Sequence, residues 1–521
     1  MIPREGHSDI TRARGRTPRA LWLRTPVGAL ALLILGSFVL RLGFAASLGL
    51  GIDESYMVAA GRQWQLSYFD HPPIAWWLAW GAARIAGNDG AIAVRLPFIG
   101  LFALSTWLMY QLTAALFDEW AGLWAAAVLN AAPVLGLTSA TWVLPDGPLM
   151  AALLAAVGCL IRALPAAGRG AWGWWLATGI CAGLALSSKY SAALTIAGAL
   201  LFLSTEPVSR RWLTRPQPYI AGAAALIVFS PVLYWNARHG WVSLLFQGER
   251  AGGHFYPFGP LAALGGAAVY FLPWIWLALV LCGVAALRRG AAEPGRWLLV
   301  CLAAPPIVFF TVIALWSHIL FHWTAPGYLM LVPLLGKAIA RHWPGSVWVR
   351  RVVIATAAFV MLGAGLFVSA VRFDWLAAMP FFRAKQDPTM AIVDWTSLPA
   401  TLAARGLFDR PRLAVAATRW LDAGKIDYAL GGRLPVLCLC AEPHEYGITA
   451  PLANYAGFDV LIIAPRTTPA EIAARFDALF TSIAVLPPAM LLHAGRPALQ
   501  LPLYLGHHLR PPSAPAASDR R

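Results

Sequence analysis

The sequence predicts a polytopic α-helical membrane protein of about 11 transmembrane helices, followed by a C-terminal soluble α/β domain. Three observations carry this. Of 521 residues 59% are hydrophobic and only 12% charged, about half the charge of a soluble chain. Mean hydropathy is +0.63, and there are 25 Trp. Beyond residue 372 acidic residues recur regularly, at Asp374, Asp387, Asp394, Asp409, Asp422 and Asp427. So much apolar surface excludes a disordered chain. The net charge of +16 suits basic cytoplasmic loops. A nucleic-acid partner is not expected, because no basic-aromatic module accompanies that charge.

Residues 1–26 form a basic N-terminus with Arg4, Arg12, Arg14, Arg16, Arg19 and Arg24, expected on the cytoplasmic side. Val27 to Leu48 is long enough to span a bilayer and longer than a signal-peptide core. Further spans are read near 92–116, 121–137, 147–163, 172–188, 191–204, 218–236, 261–286, 297–316, 324–340 and 352–371. An odd count places the C-terminal part outside. Of the 25 Lys and Arg in residues 1–371, eighteen fall in segments assigned inside and six outside, with Arg41 in the first span. That asymmetry fixes orientation. The membrane module is therefore 27–371, with an amphipathic first external loop at 49–90.

Residues 372–510 read as an external, periplasmic α/β domain. Leu413–Ala416 and Val460–Ile463 have strand character, and Pro469–Phe480 helical character. The Pro/Ala/Ser-rich tail 511–521 is expected to be disordered. Cys159, Cys181, Cys282 and Cys301 lie in apolar spans. Cys438 and Cys440 read as two buried thiols on a strand rather than a metal site.

Charges are scarce, so those near one bilayer surface carry functional weight. The first external loop holds Asp53-Glu54-Ser55-Tyr56, then Tyr68-Phe69-Asp70-His71-Pro72-Pro73. Trp64, Trp76, Trp77 and Trp80 are expected at headgroup depth. Asp53 either caps a helix or acts as a general base. Glu54 either bonds the acceptor, holds Asp53 in place, or is a solvated first-turn acid. Asp70 caps the next helix or lines a cavity. Asp146, ahead of Gly147-Pro148, reads foremost as a cap. Lys189 calls for a partner anion or snorkels to the surface; Tyr190 follows it. Arg238 and Arg250 suit phosphate as planar forks, with Glu249 a competing partner for Arg250. His322 and the other loop histidines read as interfacial hydrogen-bonding groups.

The segments Asp53-Glu54-Ser55-Tyr56, Asp70-His71-Pro72-Pro73 and Ala93-Val94-Arg95-Leu96-Pro97 resemble bacterial members of the protein O-mannosyltransferase-like superfamily. So do Pro145-Asp146, Ser188-Lys189-Tyr190, Trp235-Asn236, Gln247 to Arg250, and His322-Trp323 to Pro326. These are GT-C-fold glycosyltransferases of the family 39 type that use a polyprenyl-phosphate sugar. The set also resembles lipid A aminoarabinose transferases, from which Asp70-His71 departs: a Glu-Lys pair stands there in that family. The match covers roughly residues 50–330. It implies a GT-C membrane module with Asp53 as catalytic base and Glu54 supporting it. Lys189, Arg250 and His71 would bind the donor phosphate. Tyr56, Asp70, Asp146, Tyr190, Arg238 and His322 would line the cavity. A divalent metal at Asp70 stays open, and no other cofactor is implied. The expected activity is inverting transfer from an undecaprenyl-phosphate-type donor to a hydroxyl of lipid A, lipopolysaccharide core, another envelope glycan or a protein. It would take place on the outer face of the bacterial inner membrane, among membrane lipids. A transporter or flippase of lipid-linked sugars is the alternative. It would show paired broken helices in matching halves, and the sequence has no such symmetry.

Overall fold

The structure is a computed structural model that describes residues 25–250, 252–376, 379, 392, 395–465, 467–493 and 496–510. The basic N-terminus up to Arg24, the tail 511–521, Asp387 and Asp394 lie outside the described residues.

Helix α1 (Pro26–Ser47) starts on Thr25, whose hydroxyl accepts from the amide of Gly28 at 3.1 Å. The first loop then supplies two short helices, α2 (Ile52–Ala60) and α3 (Ile74–Ala86). The bundle continues with α4 (Ala91–Leu116), α5 (Glu119–Ala131), α6 (Asp146–Ala163), α7 (Gly168–Leu186), α8 (Ala192–Thr205) and α9 (Pro216–Arg238). After α10 (Val242–Glu249) come α11 (Gly259–Phe271), α12 (Pro273–Arg289), α13 (Pro294–Ile313), α14 (Ala325–His342) and α15 (Val347–Phe373).

Every predicted span is helical. Among the described residues seven helices are long and apolar enough to cross a membrane, or eight counting one bent pair. The pair is α5 with Val134–Thr141, bent by 79° after Pro133. Arg41 of α1 closes this bend, donating to the carbonyl of Gly136 at 2.5 and 3.0 Å while lying over the Phe102 ring. The expected single span 261–286 is two helices. Leu272 takes φ 72° ahead of Pro273, and a residue before proline is pushed out of the α region. With 13 residues α11 rises about 20 Å, short of a bilayer core of about 30 Å. Helices α7 and α9 pack backbone to backbone. A Cβ on Gly179 would stand 2.2 Å from the carbonyl oxygen of Ala221, so only glycine permits the contact.

The C-terminal domain holds α16 (Leu398–Ala403), β1 (Leu413–Ala417), α17 (Trp420–Leu430), β2 (Val436–Cys438), β3 (Asp459–Ile463), α18 (Pro469–Phe476), β4 (Ser482–His493) and β5 (Arg496–His507). Sheet order is β2-β1-β3-β5-β4. Strand β1 runs parallel to β2 and β3, and β5 antiparallel to β3 and β4. The β1–α17–β2 crossover explains the wholly apolar β1, which is buried on both faces. The expected strands are β1 and β3, and the expected helix begins as α18. The cysteine expectation is corrected: Cys438 and Cys440 form a disulfide. Residues two apart at a strand end share a face, which brings the two sulfurs together.

The domain docks on the first loop through α17. A Cβ on Gly424 would lie 2.6 Å from Tyr56 Cα, so α17 rests directly on the backbone of α2. Lys425 Nζ donates to the carbonyl of Leu50 at 2.6 Å. Arg62 bridges Asp89 and Asp427, at 2.9 Å each. One apolar core runs from Tyr56, Tyr68 and Trp76 in the loop to Val415, Ile426 and Leu461 in the domain. Trp76 is fully buried, so its ring does not face lipid headgroups as expected; it stacks on Tyr68 with centroids 4.3 Å apart.

Candidate active site

Helix α2 presents Asp53 and Glu54 on different faces, and the two carboxylates have opposite fates. Glu54 is buried. It accepts from the amide of Gly51 at 2.8 Å, the amide of Val143 at 3.0 Å, and Arg95 Nε and Nη2 at 2.8 and 2.5 Å. Arg95 also donates to the carbonyls of Ala45, Leu48 and Gly49. Two buried charges are thus fully hydrogen-bonded, the condition under which such a pair is tolerated. Glu54 ties α2 to α4 and to the loop before α6. It is a positioning residue with no lone pair left for a substrate.

Asp53 does not cap α2; the N-cap is Gly51, whose amide donates to the Glu54 carboxylate. Its side chain reaches solvent. Among the described residues no group hydrogen-bonds it. Surrounding protein, with the negative charges of Glu54 and Asp70, pushes its pKa up to about 6. It is an exposed carboxylate, still mostly ionised at neutral pH, near the charges of Glu54 and Asp70.

Asp70 does not cap α3, which starts on Pro73 without a side-chain cap. Its Oδ2 accepts from the Tyr56 hydroxyl at 2.5 Å, and its Oδ1 meets Nδ1 of His444. Gln247 Nε2 donates to its carbonyl at 2.7 Å. Each Asp70 oxygen is thus held by a protein group. Among the described residues no three His, Cys, Asp or Glu side chains converge on a metal-sized site.

Behind Asp70 the predicted cationic residues do gather. Lys189, in the α7–α8 turn, pairs with Asp146 at 2.9 and 3.1 Å. That pairing corrects the expected cap role of Asp146, since α6 begins on Pro145 without a side-chain cap. It also supplies the anion that Lys189 was expected to need. His71 and His322 lie in the field of this pair and of Arg250. Burial, and then the Lys189 charge, lowers both pKa values to about 4, so both rings are neutral at pH 7. Nδ1 of His71 is buried and has no hydrogen-bond partner among the described residues. Arg250 lies between the rings of Phe246 and Trp323, its guanidinium carbon 5.3 and 4.7 Å from their centroids. Among the described residues its guanidinium has no ion pair, with Glu249 or any other acid. The Tyr190 hydroxyl bonds Ser243 Oγ at 2.8 Å and bridges α8 to α10. Arg238 is not brought in: it is exposed at the end of α9.

The C-terminal domain contributes residues that sequence reasoning missed. The His444 ring stacks on Trp420 with centroids 4.2 Å apart. Glu445 accepts from the amide of Phe69 at 2.8 Å and from Gln65, and its own amide donates to the Tyr56 hydroxyl at 3.0 Å. The one available signal was a Pro443-His444-Glu445 cluster in an otherwise charge-poor stretch.

Residues 70–235 match the family model described as dolichyl-phosphate-mannose-protein mannosyltransferase. No curated protein matches the chain. Among solved structures, ArnT from Cupriavidus metallidurans in the apo state superposes with a TM-score of 0.63, at 16% identity, covering 92% of this chain and 98% of that chain. The same ArnT bound to undecaprenyl phosphate gives the same figures. The chain has the GT-C fold. The residues matched by the family model enter this GT-C frame at Asp70, pass Asp146 and Lys189, and end at Trp235. The likeness to ArnT extends over both the GT-C membrane module and the C-terminal domain.

Proposed function

We propose that this GT-C chain is an inverting membrane glycosyltransferase that moves a sugar from a polyprenyl-phosphate donor to a hydroxyl of a cell-envelope acceptor. The observation that carries the reading is Asp53, an exposed carboxylate without a hydrogen-bond partner among the described residues, its pKa raised to about 6 and within electrostatic reach of Asp70. A general base has to be ionised at working pH, open to its substrate, and basic enough to take a proton. The donor class is supported by the shared fold of an ArnT that binds undecaprenyl phosphate and by the guanidinium of Arg250, which has no ion pair among the described residues.

In this mechanism the acceptor O–H gives its proton to Asp53. The oxygen attacks the anomeric carbon on the face opposite the phosphate. The carbon–oxygen bond to phosphate breaks, and polyprenyl phosphate leaves with the bonding electrons. Arg250, and Lys189 drawn between Asp146 and the phosphate, stabilise that charge. Neutral His71 offers its imidazole as a hydrogen-bonding group beside them. Eighteen of the 25 Lys and Arg in residues 1–371 fall in segments expected inside, which supports an active site on the outer face of the inner membrane.

The test is mass spectrometry of envelope lipids and glycans from wild-type cells, a deletion strain, and the deletion complemented with Asp53→Asn. A mass shift of one sugar should vanish on deletion, return with wild type, and stay absent with Asp53→Asn. The shifted species names the acceptor: lipid A, lipopolysaccharide core, another glycan or a protein. A deletion strain without any such loss would refute the reading.

A further inference from the structure

Asp70 poses an electrostatic problem. It lies in the field of Arg250, and that attraction is one of two carboxylate contributions acting on the guanidinium. The other is Glu442, exposed and 4.0 Å from Nε2 of His444. A half-buried guanidinium without an ion pair, close to a buried carboxylate, would be expected to take it as a partner. Here it does not. Both Asp70 oxygens are turned to other donors, Tyr56 on one side and His444 on the other. The His444 ring is fixed in turn by stacking on Trp420 and by edge contact with Phe246.

We infer that His444 is a positioning residue of the C-terminal domain which, with Tyr56, clasps Asp70 away from Arg250 and so keeps the guanidinium free for a phosphate. The role of Arg250 toward phosphate rests on the function proposed above; the clasp itself rests on geometry alone. The C-terminal domain then does more than cover the membrane module. Its docking sets the charge available at the site, because His444 reaches Asp70 only when α17 lies on α2. Loss of the clasp frees a carboxylate that competes directly with the lipid phosphate.

Two readouts on the full-length protein in detergent separate the clasp from the donor assignment. The first is the rate at which phenylglyoxal modifies Arg250, followed by peptide mass spectrometry. His444→Phe keeps the stack on Trp420 and removes the donor; labelling should slow by about fivefold, the scale of one partly exposed ion pair. Tyr56→Phe should slow it independently. Asp70→Asn placed on His444→Phe should restore the wild-type rate, because the amide carries no charge to pair with Arg250. His444→Asn, which retains an N–H donor, should label as wild type does. The second readout is binding of undecaprenyl phosphate, which should weaken in His444→Phe and recover in the double variant. Unchanged labelling in both single variants overturns the clasp, as does slowing that Asp70→Asn fails to rescue. If labelling follows the pattern but the wild type does not bind undecaprenyl phosphate, the clasp stands and the donor reading falls.

Discussion

Two neighbouring acids on one helical turn have different fates because of what surrounds them. Glu54 meets two amides and a guanidinium and becomes a fixed strut; Asp53 meets none and keeps its chemistry. Removing one partner of a buried charge pair leaves the other uncompensated. Arg95→Met should therefore destabilise the protein by about 3–5 kcal/mol, read as a lowered midpoint of thermal unfolding in detergent. An unchanged midpoint would place the pair outside the core. The raised pKa of Asp53 gives a pH signature. Its base form is present above about pH 6, so turnover should fall with acidification through that value, about tenfold per unit. The sequence displayed both acids and left open whether Glu54 bonds the acceptor or holds Asp53. Their division of labour depends on Arg95 and Val143, 41 and 89 positions away, and no local pattern reports such distant partners.

Helix-level features were read with uneven success. Long apolar runs such as α4 and α15 were legible because membrane length and hydropathy dominate them. The α11–α12 break was missed because hydropathy ignores what Pro273 does to Leu272. The first loop was legible as two helical stretches, yet Trp76 was misplaced. A tryptophan's exposure depends on what covers it, and here the rings of Tyr56 and Tyr68 pack against it. Packing of α17 on α2 gives a prediction at this scale. Gly424→Ala puts a methyl 2.6 Å from Tyr56 Cα and Cβ, where real contacts require the backbones to separate. We expect a loss of about 1–3 kcal/mol, as for other overpacked cores, with faster proteolysis of the C-terminal domain. A variant as resistant as wild type would contradict direct α17–α2 contact.

Across the whole molecule, a membrane module and a soluble domain share one core and one set of polar contacts around Asp70 and Glu445. The sequence announced both parts but not their joint, because His444 and Glu445 lie more than 370 positions from the loop they grip. Burial pushes the Glu445 carboxyl up to about 8, so the folded state favours its protonated form. That contribution to docking is complete below about pH 4.5, the usual glutamate value, and is lost as pH rises through about 8. Hydrogen exchange of residues 65–70 should accelerate between about pH 5 and 8 beyond its intrinsic pH dependence, and Glu445→Gln should abolish that excess. The central claim, however, concerns Asp53 as the base. Its most direct test uses purified protein and the polyprenyl-phosphate sugar identified from the envelope mass shift, comparing wild type with Asp53→Asn. With Asp53 as the base, turnover should fall by about 10²–10⁴-fold with undecaprenyl-phosphate binding unchanged. Transfer by Asp53→Asn at a near wild-type rate would contradict it.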